Sequence, residues 1–355
     1  MSVRTRWLQA TVFAFATVTF AGCRGGGDQP PSPTPTATPS ATAPTPTETP
    51  TPTPAPLTAQ TARGLVEVTS IPVPANARLG WSADGSVLVF GEREFIRTDV
   101  ALGSPKRTSA PSGTQILAVS PDGHTVAVVG LDTGALLLWD LDTPDLTPRT
   151  VEGARGRTSA SFTGDGAHLI VTEDSTIAAS VFDVRTSGKV GTLTGFQTAA
   201  PVYTFIIGPT DTGAWHARAT VQFAQIPSGT LGARLSFEDF VGEVSFTRDG
   251  RLLLTTTGMQ ENGKIVARLQ AWDPGSGTER LRVTLPEVGA RATLSADGAL
   301  VAVAGNGGAR ILDSMGAQVW TDTKHGAATT AVFTADRRAL LVIAEGALRR
   351  YEVPR

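Results

Sequence analysis

The sequence predicts an all-β fold, a seven-bladed β-propeller of four-stranded antiparallel blades preceded by a disordered stalk rich in Pro and Thr. Three observations predict it. Beyond residue 62 the chain is a succession of short apolar runs broken by turn residues roughly every ten positions. A mark centred on Asp-Gly recurs along it, as a repeat architecture requires. No run has the length and spacing of a long amphipathic helix.

Residues 1–22 begin with Arg4 and Arg6, continue as an apolar stretch from Trp7 to Phe20 and end in Ala21-Gly22, the layout of a secretory signal peptide. Its apolar stretch, about 14 residues, is shorter than the roughly 18 to 20 that cross a bilayer as a helix. Phe20-Ala21-Gly22-Cys23 resembles the lipobox of bacterial lipoproteins. That resemblance implies cleavage before Cys23 and diacylglycerol on its sulfur, with the membrane held through buried acyl chains. Phe20 replaces the usual Leu, and ordinary cleavage after Ala21, which releases a soluble protein, is the alternative. The chain has 1 cysteine, so the folded part has neither a disulfide framework nor a cysteine-based zinc site.

Residues 23–62 change to Gly and then to Pro and Thr, with 11 prolines from Pro30 to Pro56. Almost no apolar side chains are available there to bury. Alternating Pro-Thr favours polyproline II, so Gln29 to Pro56 is expected to act as a spacer on the order of 80 Å long when extended. Such a stalk is also a candidate for O-glycosylation.

Residues 63–355 carry the repeats. The clearest unit is Ile116 to Asp140, ILAVSPDGHTVAVVGLDTGALLLWD, which reads as two apolar strands and most of a third. Its mark is an apolar residue, a small polar residue, then Asp-Gly. The mark recurs at Trp81 to Gly85, Phe162 to Gly166, Phe246 to Gly250 and Leu294 to Gly298, and as Phe333 to Arg337 with Arg in place of Gly. The aspartates Asp84, Asp122, Asp165, Asp249, Asp297 and Asp336 are spaced by 38, 43, 84, 48 and 39 residues. The doubled interval predicts a degenerate unit, and Phe205 to Asp211 fills it, giving seven units of about 42 residues each. Asp bonds nearby amides and Gly accepts positive φ, so each mark reads as the reversal between two antiparallel strands. Third strands end at Trp139-Asp140, Phe182-Asp183, Trp272-Asp273 and Leu312-Asp313.

Leu138-Trp139-Asp140 and Ala271-Trp272-Asp273 resemble the WD-repeat propeller family over residues 63–355. Gly-His before the first strand is largely missing; only Lys324-His325-Gly326 comes near it. The His, Asp, Ser/Thr and Trp tetrad of that family is therefore not expected in most blades. The last unit has only three strands of its own, and Gly64 to Ile71 has strand character. The resemblance implies that this segment completes the last blade, which removes two open sheet edges.

Formal charge is −2, and loss of Arg4 and Arg6 makes the remainder more acidic, so no basic footprint for nucleic acid exists. No cofactor motif and no metal-ligand run occur. The turn aspartates fall in separate blades, and His124, His168, His216 and His325 lack zinc-enzyme spacing. Gly258 to Lys264, GMQENGK, carries the glycines and lysine of a phosphate loop, but Ile265 stands where Ser or Thr belongs. It reads as a turn between strands, as does Gly305 to Gly308. Trp139 and Trp272 are expected to pack between blades.

In the resembled family the loops before each first strand gather around the central channel. Here they carry Arg78, Gln115, Arg157, Glu238, Asp239, Phe240, Arg291, Lys324 and His325, mixed charges with one aromatic, which suit a protein or cell-envelope partner. The expected function is a non-catalytic, monomeric interaction scaffold, lipid-anchored outside the cytoplasm on the cell membrane or an outer membrane. The alternative is a propeller enzyme, of lactonase or quinone-dependent dehydrogenase type, with its site in the channel.

Overall fold

Between turn marks the chain alternates apolar and small residues, and there it forms strands that assemble in fours. The computed structural model describes residues 55–354 apart from Ala75, Ala83, Asp84, 144–146, 156–157, 174–177, 194–201, 209–211, Arg218, Pro227, Asp239 and 262–263. The expected signal peptide, Cys23 and most of the expected stalk therefore lie outside the described residues. β1 (Val66–Pro72) comes first. Blade 1 is β2–β5 (Arg78–Trp81, Val87–Phe90, Glu94–Thr98, Lys106–Ser109) and blade 2 is β6–β9 (Thr114–Val119, Thr125–Gly130, Ala135–Asp140, Arg149–Arg155). Blade 3 is β10–β13 (Thr158–Phe162, His168–Glu173, Ala179–Asp183, Lys189–Leu193) and blade 4 is β14–β17 (Val202–Ile207, Thr212–Ala217, Thr220–Gln225, Leu231–Ser236). Blade 5 is β18–β21 (Phe240–Phe246, Leu253–Glu261, Lys264–Trp272, Glu279–Leu285) and blade 6 is β22–β25 (Arg291–Leu294, Leu300–Gly305, Gly308–Asp313, Gln318–Thr321). Blade 7 is β26–β28 (Ala328–Phe333, Ala339–Ala344, Ala347–Glu352), and β1 pairs antiparallel with β28 as its fourth strand.

All seven sheets are four-stranded and antiparallel, as the repeats predict, and the degenerate unit forms blade 4. Packing closes the ring. Seven buried apolar clusters occur among the described residues, one at each seam between successive blades. Trp139, for example, lies with Leu88 and Phe95 of blade 1, and Leu341 and Ile343 of blade 7 lie with Leu79 and Val87 of blade 1. Each blade thus buries both its faces, which explains strands such as Leu300–Gly305 that are apolar on both sides. First strands lie against one another between blades 2 and 3, 3 and 4, 4 and 5, and 6 and 7, so they surround the axis.

The turn mark uses more of its residues than the Asp-Gly pair. Ser120 Oγ donates to Asp122 Oδ1 at 2.5 Å and accepts from the Thr125 amide at 2.8 Å, while Asp122 also accepts from the His124 amide. The same pattern holds at Thr163/Asp165, Thr247/Asp249, Ser295/Asp297 and Thr334/Asp336. The hydroxyl is buried at Ser120, Thr163, Ser295 and Thr334 and half-buried at Thr247, so in the first four it satisfies an amide that water cannot reach. Arg337 takes φ +57 where other marks have Gly, and it forms an ion pair with Asp297 of the preceding blade.

Two boundaries differ from the sequence reading. Leu57 and Ala62, assigned to the linker 23–62, are buried against blades 6 and 7, and the Leu57 amide donates to Arg337 O. Isolated apolar residues in a Pro-rich tract have no period that would reveal them. The stretch Gly258 to Glu261, read as part of a turn, continues β19, so β19 and β20 have nine residues each.

Candidate functional site

Because the first strands surround the axis, their starting residues ring one mouth of the channel. Arg78 opens β2, Gln115 is the second residue of β6 and Arg291 opens β22, so three of the expected residues stand at one mouth. A fourth side chain there, Glu243 on β18, had no sequence signal beyond a lone charge in a strand. A register shift between Val241 and Glu243 marks a bulge at Gly242, and bulges re-aim neighbouring side chains. Glu243 Oε1 forms an ion pair with Arg291 Nε at 3.4 Å across the blade 5–6 seam. Burial pushes the Glu243 carboxyl up, and the Arg291 charge opposes that only in part. Burial and then repulsion from Arg291 lower the Arg78 guanidinium, while Glu92 pulls the other way. The two guanidiniums thus belong to non-adjacent blades, 1 and 6, and open first strands at the same mouth.

Further in, the half-buried residues of the inner strands include Gly80, Ala160, Ser245, Thr293 and Val332, and Thr293 Oγ1 donates to Ala331 O of blade 7. At the opposite end, Arg248 in the turn of blade 5 places its guanidinium carbon 4.2 Å from the ring centroid of Trp81. Blades 5 and 1 are not neighbours, so this contact crosses the axis. Burial lowers the Arg248 guanidinium, with Asp336 of blade 7 opposing it. The loop-side mouth is thus charged, the wall is small and weakly polar, and the turn-side end is crossed by a stacked cation.

The remaining expected residues divide. Glu238 is exposed, Phe240 opens β18 and is 50 % exposed, and Lys324 is exposed. Arg157 and Asp239 lie outside the described residues. His325 is in the loop before β26, but its ring is engaged in the ring closure: Nε2 is 2.9 Å from Glu67 Oε2 of β1, and Nδ1 is 3.3 Å from Glu345 Oε2. Arg349 Nη1 donates to Glu67 Oε1 at 3.0 Å. Burial raises the Glu67 carboxyl, yet His325 and Arg349 together outweigh it and hold the group below its usual value. Beside this cluster Tyr351 donates to Asp322 Oδ2 at 2.5 Å, and Trp320 Nε1 donates to Leu65 O. His325 thus binds β1 to blade 7, a role that residues 258 positions apart in the chain do not announce.

Trp272 Nε1 donates to Thr255 Oγ1 at 2.9 Å, and its ring meets Phe237 edge-on at 5.5 Å, so it packs at the blade 4–5 seam. Among the described residues no group of three His, Cys, Asp or Glu side chains is placed to hold a metal ion. No family model matches the chain, and no curated protein matches it.

Proposed function

We propose that the protein is a non-catalytic interaction scaffold, anchored through lipid on Cys23 outside the cytoplasm, that docks a protein or cell-envelope partner on its loop face. The observation carrying this reading is the contrast between the two channel ends. Arg78, Gln115, Glu243 and Arg291 stand at the loop-side mouth with the exposed Phe240 nearby, whereas Arg248 on Trp81 crosses the other end. Charged groups around an exposed aromatic suit a protein surface better than a small-molecule pocket. A WD-repeat-like assignment is supported by the Trp272 to Thr255 bond, the Trp and Ser/Thr part of that family's network. A photo-crosslinking residue at Gln115 or Lys324 in intact cells is expected to trap a partner that the same probe at Ala296, on the turn face, does not. Equal trapping from both faces would contradict the reading. Labelling with a fatty-acid analogue that is lost in Cys23→Ala tests the anchor.

A channel enzyme is the second reading, and Glu243 is the observation that favours it, since a half-buried carboxyl pushed up beside Arg291 is suited to donate a proton. Its test is hydrolysis of a panel of lactones by the wild type that Glu243→Gln abolishes.

A further inference from the structure

Blade 5 departs from the other six. Its second strand has nine residues, where second strands elsewhere have four to six. The extra length projects beyond the sheet. β18 pairs with β19 only as far as Phe240↔Gly258, and β21 pairs with β20 only as far as Leu285↔Ala267. Beyond these the pairs Met259↔Val266, Gln260↔Ile265 and Glu261↔Lys264 form a two-stranded ladder with no third strand among the described residues. The chain before β18 does not run along it, because the Phe237 amide donates to Ala219 O of blade 4.

Strands alternate faces, so Phe240, Gly258 and Ile265 share the flank on which Leu254, Leu269 and Ala271 pack against blade 6. Phe240 is 50 % and Ile265 62 % exposed there. Between them Gly258 presents bare backbone, with Ile265 Cγ2 3.7 Å from where a Cβ would stand. Glu261↔Lys264 flanks a two-residue connection and takes the bonded form of pair, so Gln260 turns its backbone N–H and C=O away from β20 toward the open edge. That edge continues the line of β18, the strand that holds Glu243 at the channel mouth against Arg291.

We propose that the overhanging β19–β20 hairpin and the arginine-lined mouth form a docking groove for an extended, carboxylate-bearing segment of a partner protein. The segment adds as a strand along Met259–Glu261, packs an apolar side chain against Phe240 and Ile265, and directs its carboxylate to Arg291 and Arg78. An unpaired edge supplies affinity through main-chain bonds, and flanking side chains supply selectivity. The acidic character follows from Arg78 and Arg291, which open β2 and β22 at that mouth, Arg291 being shared between Glu243 at 3.4 Å and the incoming carboxylate. This inference rests on the loop-face docking reading.

The test selects a phage-displayed library of random linear peptides on the purified full chain. Enriched peptides are then measured by fluorescence anisotropy against the wild type, Gln260→Pro, Arg291→Gln and Arg291→Lys. Enriched peptides should carry Asp or Glu beside apolar residues. Affinity should fall about ten- to hundred-fold in Gln260→Pro and in Arg291→Gln, and Arg291→Lys should keep part of it. If Arg291→Gln does not fold, Arg78→Gln carries the same expected loss. Enriched peptides that lack a carboxylate, or that bind Gln260→Pro as tightly as wild type, overturn the groove. If those peptides are lost instead in Gln115→Lys, the loop-face reading stands without it; if no peptide binds the wild type better than an unrelated propeller, both fall.

Discussion

The Arg248 guanidinium of blade 5 lies over the Trp81 ring of blade 1, 4.2 Å from its centroid, although no seam joins those blades. The contact spans the axis and depends on every intervening blade being in place. A desolvated cation over an indole contributes about 1 to 2 kcal/mol. A urea double-mutant cycle with Arg248→Met and Trp81→Leu should therefore give a coupling energy of about 1 kcal/mol or more. Strict additivity would show that the stack contributes nothing.

Ser295 of the blade 6 turn is buried, donates to Asp297 and accepts from the Leu300 amide at 2.9 Å. Ser295→Ala leaves that amide unpaired away from water, at a cost of roughly 1 to 3 kcal/mol. Asp297→Asn keeps an acceptor at an exposed position and should cost less. The order of the two urea midpoints checks this, and a reversed order would assign the turn's stability to the carboxylate.

His216 of β15 is buried between blades 4 and 5, and burial pushes its imidazole down to about 4, against a smaller pull from the Val241 backbone. The unfolded chain holds a proton on this group from about pH 6.5 downward while the folded one stays neutral. Stability is therefore complete above pH 6.5 and falls by about 3 kcal/mol as pH drops to 4. His216→Phe should flatten that part of the profile; an unchanged slope would place the titration elsewhere.

Glu67 of β1 is held below its usual pKa by His325 and Arg349, so its contribution is present above about pH 4.5 and fades as pH falls through the folded value. Glu67→Gln removes charge from bonds at 2.9 and 3.0 Å and should cost about 2 kcal/mol at neutral pH. Amide exchange in β1 and β28 should quicken more than in β6 and β7. Uniform quickening would mean that the cluster does not hold the closing strand.

The blades were legible because what specifies them is local. Ser120-Pro121-Asp122-Gly123 encodes its own turn, and Ala339–Ala344 falls where the apolar run places it. The role of β1 followed from the resemblance to WD-repeat propellers, applied to a last unit one strand short. The site was only half legible, since Arg78 and Arg291 follow from strand starts but Glu243 depends on a bulge at Gly242. Arg248 on Trp81 and His325 on Glu67 join residues far apart in the chain, and no local pattern records them. The Gly258 to Lys264 stretch resembled a turn because its glycines masked a strand.

Glu67 and Arg349, joined across the β1–β28 ladder, are 282 positions apart, which imposes an order on folding. β1 precedes every blade in the chain, yet its pairing surface exists only after the last hairpin has formed. Early in synthesis it is an orphan strand with both edges unmatched, and Val66 and Val68 remain partly exposed even at the end. Non-local pairing of this kind folds slowly and is open to capture by other chains. The polar Glu67, Thr69 and Ser70 along β1, with Pro72 at its end, break up the apolar run that would make such capture easy.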